Sequence, residues 1–232
     1  MPDTFVHRLF DDPAFPSLEI AVRFVSLRRY LELLLEFVPH MQDQTLVRFK
    51  AEIERRAGTL SPEDLVDEID HTKSVIEDLI PLDFYGAFVL ALFAAVERSI
   101  SDIAKYVKER ENSPLSLKDL REQGTIKRLA LYLRTLLRQP IDIPQELLEE
   151  VRTLQLVRNI LAHASGSLAD QPEGRIDELS RIVQSRDDLK IEGQALVIYA
   201  QYLSKSLAAA DAYLDALLSH VDVKYPVAKD AP

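Results

Sequence analysis

The chain has 232 residues, of which 47% are hydrophobic and 28% charged, and its formal net charge is −10. This composition is typical of a soluble globular protein and excludes an intrinsically disordered chain. The absence of cysteine excludes a disulfide scaffold, a cysteine-ligated zinc site and a cysteine nucleophile. So acidic a chain is not a generic nucleic-acid coat protein, although local patches can differ in sign from the whole.

The sequence also bounds localisation and cofactors. The chain shows no charged and then apolar start of the kind found in signal peptides. Its longest uncharged stretch, residues 84–96, is shorter than the about 20 residues that cross a bilayer. We therefore expect a cytoplasmic protein with no membrane partner. Since no glycine-rich phosphate loop and no metal-spaced histidines occur, we expect no cofactor and no metal.

Proline and glycine divide the N-terminal part into predicted helices. The first covers residues 17–38 and ends before Pro39, and the second covers residues 44–57 and ends at Gly58. Ser61 followed by Pro62 and two acids predicts the start of a third helix, which reaches about Ile80 and breaks at Pro81.

A long helix is predicted from Asp83 to about Arg110, and its apolar first part, residues 84–96, is expected to be buried on every side. Further helices are predicted over residues 124–138, 145–165, 176–185 and 197–220, with a short extended turn or hairpin over residues 189–196. Long helices with short connections favour an all-α fold, an up-and-down helical bundle. We expect an N-terminal helical extension (residues 1–80), the bundle itself (residues 81–220) and a tail (residues 221–232).

The helix over residues 145–165 carries three polar residues in an apolar run: Arg158, Asn159 and His163. On a helical wheel Arg158 interrupts an aliphatic stripe, whereas Asn159 and His163 are four apart and share another side. Arg158 and His163 diverge by about 140°. Either Arg158 curls round, or two copies of the helix combine these residues across a dimer axis. Because apolar residues occupy two sides of this helix, a partner subunit is one way to cover the second.

An unpaired arginine in apolar surroundings is costly, so an internal acid or an anionic ligand must offset its charge. A histidine titrates near cellular pH and can accept or donate a proton. An arginine that binds phosphate and a histidine that moves a proton are together suited to phosphate chemistry.

The stretch from Arg158 to His163, RNILAH, resembles the R-N-x-x-x-H motif of the HEPN superfamily. Its place near the end of a bundle helix, followed by a small-residue loop, and the long apolar helix upstream are similar too. The resemblance covers residues 81–220 in organisation and only these six residues in detail. It implies a bundle of HEPN type with extra N-terminal helices, in which the motif helices of two subunits meet.

The resemblance also implies an activity. Active members cut RNA without a metal: the 2′-hydroxyl attacks the adjacent phosphate and leaves a 2′,3′-cyclic phosphate and a 5′-hydroxyl. Carried over by position, His163 would be the general acid or base, Arg158 would bind the scissile phosphate and Asn159 would orient His163 or the phosphate. The role that the resemblance implies is that of a toxin or a phage-defence ribonuclease, with an antitoxin or a regulator as a further partner.

Other charged residues have a functional and a structural interpretation each. In the functional one, Glu97 is an internal partner of Arg158 or an acid that supports His163. In the structural one, it marks where its helix meets water. Lys127, Arg134 and Arg138 lie along one predicted helix face, as an RNA-binding strip or as an ordinary solvated face.

Three functional hypotheses therefore remain open. The leading one is a homodimeric, metal-independent endoribonuclease. The second is a non-catalytic HEPN-like module that binds a nucleotide, an RNA or a protein and uses Arg158 to hold an anion. The third is a helical scaffold in which Arg158 pairs with Glu97.

Overall fold

The computed structural model describes residues 12–226 except residues 57–58, 60, 123, 139–140, 165 and 170, and the side chains of His163 and Ala164 also lie outside the described part. This part is mostly helical, which confirms the all-α class. The elements in chain order are α1 (Ser17–Arg56), α2 (Pro62–Ser74), a π-helical turn (Val75–Leu79), α3 (Ile80–Arg110), a 3₁₀ turn (Leu117–Asp119), α4 (Thr125–Leu137), α5 (Gln145–Ala164), α6 (Glu173–Gln184), β1 (Leu189–Glu192), β2 (Ala195–Ile198) and α7 (Ala200–Lys224).

Two local predictions are confirmed closely. Ser61 caps α2, because its hydroxyl oxygen accepts a hydrogen bond from the backbone N–H of Asp64 at 3.1 Å. The segment expected to be a short hairpin is one: β1 pairs with β2 in antiparallel register, and Gly193 in the turn between them has φ +57°.

The helix break predicted at Pro39 is wrong. Helix α1 runs through this proline without ending, although the ring removes one backbone hydrogen bond. Pro39 is exposed, so water can hydrate the carbonyl of Leu35 that loses its partner, while Val38 beside it is fully buried. Burial along the helix therefore outweighs the local cost of the proline.

The break predicted at Pro81 is also wrong, for a different reason. The chain widens into the π-helical turn just before the proline, and the backbone N–H of Ile80 donates to the carbonyl of Val75, five residues back. The wider turn shifts the backbone hydrogen-bond pattern just before the proline. The missing N–H of Pro81 is therefore tolerated, and Pro81 lies inside α3 instead of ending a helix.

The apolar part of α3 is not buried on every side. Phe88, Leu92 and Phe93 are fully buried, but Ala87 and Leu90 are exposed. The run is therefore a core helix with one exposed apolar side, which its composition alone did not indicate.

The described residues form two compact units, and the boundaries between them fall within helices. The first unit contains the described residues of Met1–Arg28, Ala91–Gln155 and Lys205–Pro232. Its core contains aliphatic side chains and fully buried aromatic rings such as Phe24. Two ion pairs link its helices: Arg23 donates to Asp102 at 2.6 Å, and Arg28 pairs with Asp211. The fully buried aliphatic side chains here include Ile20, Ile100, Ile103, Ile126, Leu129, Leu154, Leu214 and Val221.

The second unit contains the described residues of Arg29–Leu90 and Leu156–Ser204, and aromatic contacts join its helices. The rings of Tyr30 and Phe88 lie 5.5 Å apart, and those of Phe37 and Phe84 lie 5.4 Å apart. The predicted division into residues 1–80, 81–220 and 221–232 stays a prediction.

In the described part of the chain, one continuous helical segment, Pro62–Arg110, is long and apolar enough to cross a membrane by length and composition. The core helix of a soluble protein meets the same criterion, so the expected cytoplasmic location stays a prediction.

Candidate functional site

The motif lies in the apolar second half of α5. Leu154, Val157 and Ile160 are fully buried, and Leu156 and Leu161 are buried as well. Leu147 and Leu148, nearer the start of the helix, are half-buried, but between Leu154 and Leu161 the apolar side chains on both sides of the helix are covered within a single chain. A second subunit is not needed to cover them, and the expected homodimer depends on the family resemblance alone.

Arg158 and Asn159 are brought together by a direct hydrogen bond. Nη1 of Arg158 donates to Oδ1 of Asn159 at 2.9 Å, and both side chains are half-buried. Neighbouring residues on a helix point about 100° apart, so the long arginine side chain bends toward the side of Asn159. Whether Arg158 also reaches His163, as the wheel left open, stays a prediction.

Only the backbone position of His163 is described. The residue lies in the last turn of α5, four positions after Asn159, so the two backbone positions lie on the same side of the helix. The side chain of His163 lies outside the described residues. Its role as general acid or base stays a prediction.

The end of the motif helix is held by a glycine in a left-handed conformation. Gly166 has φ +87°, and a Cβ atom at this position would lie 3.2 Å from a methyl group of Leu82. Its carbonyl accepts a hydrogen bond from the backbone N–H of Leu196 in β2 at 2.9 Å. The hairpin therefore anchors the loop that leaves α5.

A second glycine allows α3 to approach α5 closely. Gly86 is buried, and a Cβ atom there would lie 3.3 Å from a methyl group of Leu161. Leu161 lies between Asn159 and His163 in sequence, so this contact helps to hold the rotation of the motif helix.

Glu97 is half-buried on α3 in the first unit, and its Oε1 accepts a hydrogen bond from Oγ1 of Thr125 at 2.8 Å. This bond ties the start of α4 to α3. The predicted support of Arg158 or His163 by Glu97 is not tested by this contact and stays a prediction.

Lys127 and Arg134 are exposed on one face of α4, and the exposed Arg138 directly follows the helix in a left-handed conformation. The opposite face is buried through Ile126, Leu129, Tyr132, Leu133 and Leu137. Among the described residues no acid pairs with any of these three cations. We refer to them as the basic strip.

One set of residues was not expected from the sequence. Lys105, Lys108 and Lys118 border a cavity of about 340 Å³ in the first unit. The spacing of Lys105 and Lys108 is visible in the sequence, but only the tertiary structure places the turn carrying Lys118 against the same side of α3.

Among the described residues no cluster of three or more histidine, aspartate or glutamate side chains could hold a metal ion. Comparison of the chain with models of known protein families, with curated proteins and with solved structures finds no match.

Proposed function

We propose that this protein is a metal-independent endoribonuclease of HEPN type that acts as a homodimer. The observation that carries the proposal is the hydrogen bond of 2.9 Å between Arg158 and Asn159, which lie between the buried residues Val157 and Ile160 of α5. This bond holds the half-buried guanidinium of Arg158 toward Asn159, whose position shares one side of the helix with that of His163. The resemblance of RNILAH to the family motif supplies the reaction.

In the proposed reaction the 2′-oxygen of RNA attacks the adjacent phosphorus. The bond between phosphorus and the 5′-oxygen breaks, and the products are a 2′,3′-cyclic phosphate and a 5′-hydroxyl. Arg158 binds the phosphate oxygens and stabilises the added negative charge, since a guanidinium donates paired hydrogen bonds to phosphate. His163 takes the proton from the 2′-hydroxyl or returns one to the departing 5′-oxygen.

Partial burial of Arg158 fits this role. A guanidinium sealed in the core could not reach a substrate, and one in bulk water would bind phosphate weakly because the solvent screens the attraction. Arg158 follows the fully buried Val157 and precedes the half-buried Asn159. Its guanidinium is therefore accessible to a substrate and partly shielded from solvent.

The proposed biological role, a toxin or phage-defence ribonuclease in the cytoplasm with an antitoxin or regulatory partner, depends on the resemblance. So does the homodimer through α5. Light scattering of the purified chain measures the dimer directly, and a monomeric chain that still cleaves RNA would contradict a site shared between two subunits.

The test of the function is cleavage of a fluorescent RNA by the purified chain in excess EDTA, with analysis of the product ends. We expect cyclic phosphate ends. His163→Ala should lower the rate by about 10²–10⁴-fold, and Arg158→Ala by about 10²–10³-fold. A 2′-deoxy substitution at the cleaved position should stop the reaction, because the attacking oxygen is then missing.

Matched controls separate these roles from general effects of substitution. Arg152→Ala removes an exposed arginine from the same helix, and His40→Ala removes an exposed histidine that contacts Gln44 on α1. Both controls should cleave like the parent chain. Cleavage that needs a divalent metal, or that survives His163→Ala, would contradict the mechanism. RNA binding without turnover would instead favour the non-catalytic module.

A further inference from the structure

The structure points to a nucleotide-binding pocket outside the motif, between the C-terminal part of α3, the 3₁₀ turn and α4. We propose that it holds one nucleotide of a single-stranded RNA, an inference that depends on the proposed function for the identity of the ligand. Its volume is about 340 Å³, in the range of small-molecule sites, and all of its lining residues belong to the first unit.

The charge of the pocket is positive at its edge. Lys105, Lys108 and Lys118 border it in a chain whose net charge is −10. Lys105 lies 3.9 Å from Glu109, an exposed pair whose attraction is weak. Asp119 is near Lys108, but two hydrogen bonds from Ser116 hold its carboxylate and, with Lys108 nearby, lower its pKa.

The wall of the pocket is mainly apolar. Half-buried Leu117 is its accessible part, whereas Ala104 and Tyr132 line it but are buried. The hydroxyl of Tyr132 donates to the carbonyl of Leu115 at 3.0 Å, so its proton is already used in a hydrogen bond within the fold. An apolar wall contributes nothing to binding a bare inorganic anion, but it favours the flat face of a base.

The two serines of the pocket can only accept hydrogen bonds from a ligand. The hydroxyl of Ser101 donates to the carbonyl of Glu97 at 2.9 Å, and that of Ser116 donates to Asp119 at 2.7 Å. The lysines are therefore the donors for a phosphate, and the serine oxygens are acceptors for N–H groups of a base. Phosphate, base and apolar surface occur together in a nucleotide.

The basic strip lies outside the pocket, on the face of α4 opposite Tyr132. An RNA strand that leaves the pocket and crosses this helix would meet these cations as well. This arrangement favours RNA over a free mononucleotide as the ligand.

The test is a binding measurement on the full chain carrying Arg158→Ala, so that the proposed catalytic arginine contributes nothing. The probes are 5′-AMP, inorganic phosphate and a short 2′-O-methyl RNA, which cannot be cleaved by 2′-hydroxyl attack. We expect 5′-AMP to bind about tenfold tighter than inorganic phosphate, because the base adds contact with the apolar wall. Lys108→Ala with Lys118→Ala should weaken binding of 5′-AMP and of the RNA by about tenfold.

The control pair, Arg48→Ala with Lys50→Ala, removes two exposed cations of α1 in the second unit and should leave the affinity for 5′-AMP unchanged. Equal affinity for 5′-AMP and phosphate, or unchanged binding after loss of the two pocket lysines, would overturn the proposal. Binding of 5′-AMP that the RNA does not compete would overturn the assignment to RNA. A chain that never cleaves RNA contradicts the proposed function and leaves this measurement valid.

Discussion

Charged side chains in this protein are stabilised in different ways according to their burial. Asp188 is fully buried, and both of its oxygens accept hydrogen bonds from Arg186, at 2.7 and 2.9 Å. The guanidinium of Arg186 also lies 5.5 Å from the centre of the Tyr202 ring. Arg158 is half-buried, and its guanidinium donates one hydrogen bond to the side chain of Asn159. A charge that keeps some access to solvent can still bind a substrate, whereas a sealed ion pair such as Arg186–Asp188 is structural.

Asp215 on α7 is a carboxylate in an unfavourable place. Its buried Oδ1 has no hydrogen-bond partner among the described residues, and burial together with the charge of Asp211 raises its pKa. A raised pKa in the folded state means that folding disfavours the ionised form. The ionised carboxylate therefore lowers the free energy of unfolding above this pKa, and the penalty disappears as the pH falls through it.

Asp215→Asn should for this reason raise the melting temperature at neutral pH. The gain should shrink as the pH is lowered toward 4, because the parent carboxylate then becomes protonated. Thermal unfolding followed by circular dichroism at several pH values measures both effects. A melting temperature that falls at pH 7, or a gain that grows toward low pH, would contradict the assignment.

At the scale of elements, close helix packing positions the motif. Gly86 lets α3 approach Leu161 of α5, and Gly166 turns the chain in a left-handed conformation beside Leu82. The backbone pairing of Gly166 with Leu196 then connects the end of α5 to the hairpin. The small two-stranded sheet therefore holds the loop that follows the motif.

Gly166→Ala should destabilise the protein by about 1–2 kcal/mol, because a side chain is strained at this φ and its Cβ would crowd Leu82. Gly174→Ala is the matched control: no atom lies within 4 Å of its Cβ position in α6, so alanine should be neutral or stabilising by up to about 1 kcal/mol. Urea unfolding of both variants gives the comparison. Equal effects at the two glycines would show that the turn at Gly166 carries no strain.

At the scale of the whole molecule, charge is unevenly distributed. The net charge is −10, yet α4 contains three cations and no acid, Arg138 directly follows it, and the basic strip is exposed. Local potential, not net charge, decides where a polyanion binds. An acidic protein with one basic helix can bind RNA in a single place and repel it elsewhere.

Lys127→Ala with Arg134→Ala should weaken the binding of single-stranded RNA. The slope of log affinity against log salt concentration should fall by about 0.7 for each phosphate contact that is lost. Titrations of a 2′-O-methyl RNA at several salt concentrations measure this slope, and the pair Arg48→Ala with Lys50→Ala is again the control. An unchanged slope would leave the strip as an ordinary solvated face.

Helix positions, the cap at Ser61, the hairpin and the two faces of α4 could be predicted from the sequence, because periodicity and local hydrogen bonding decide them. The breaks expected at Pro39 and Pro81 could not, since whether a proline ends a helix depends on what the flanking residues bury. The same holds for the exposed side of α3 around Leu90, because apolar composition does not say how many neighbours surround a helix.

For the candidate site, the sequence by itself determined the three residue types and their spacing on α5, and the family resemblance depends on these alone. Only the tertiary structure decided that Arg158 bends to Asn159, that the apolar residues from Leu154 to Leu161 are covered within one chain, and that lysines from two segments border one cavity. The physical reason is that spacing along a helix is a local property. The direction of a long side chain and the meeting of distant segments depend on packing across the whole fold.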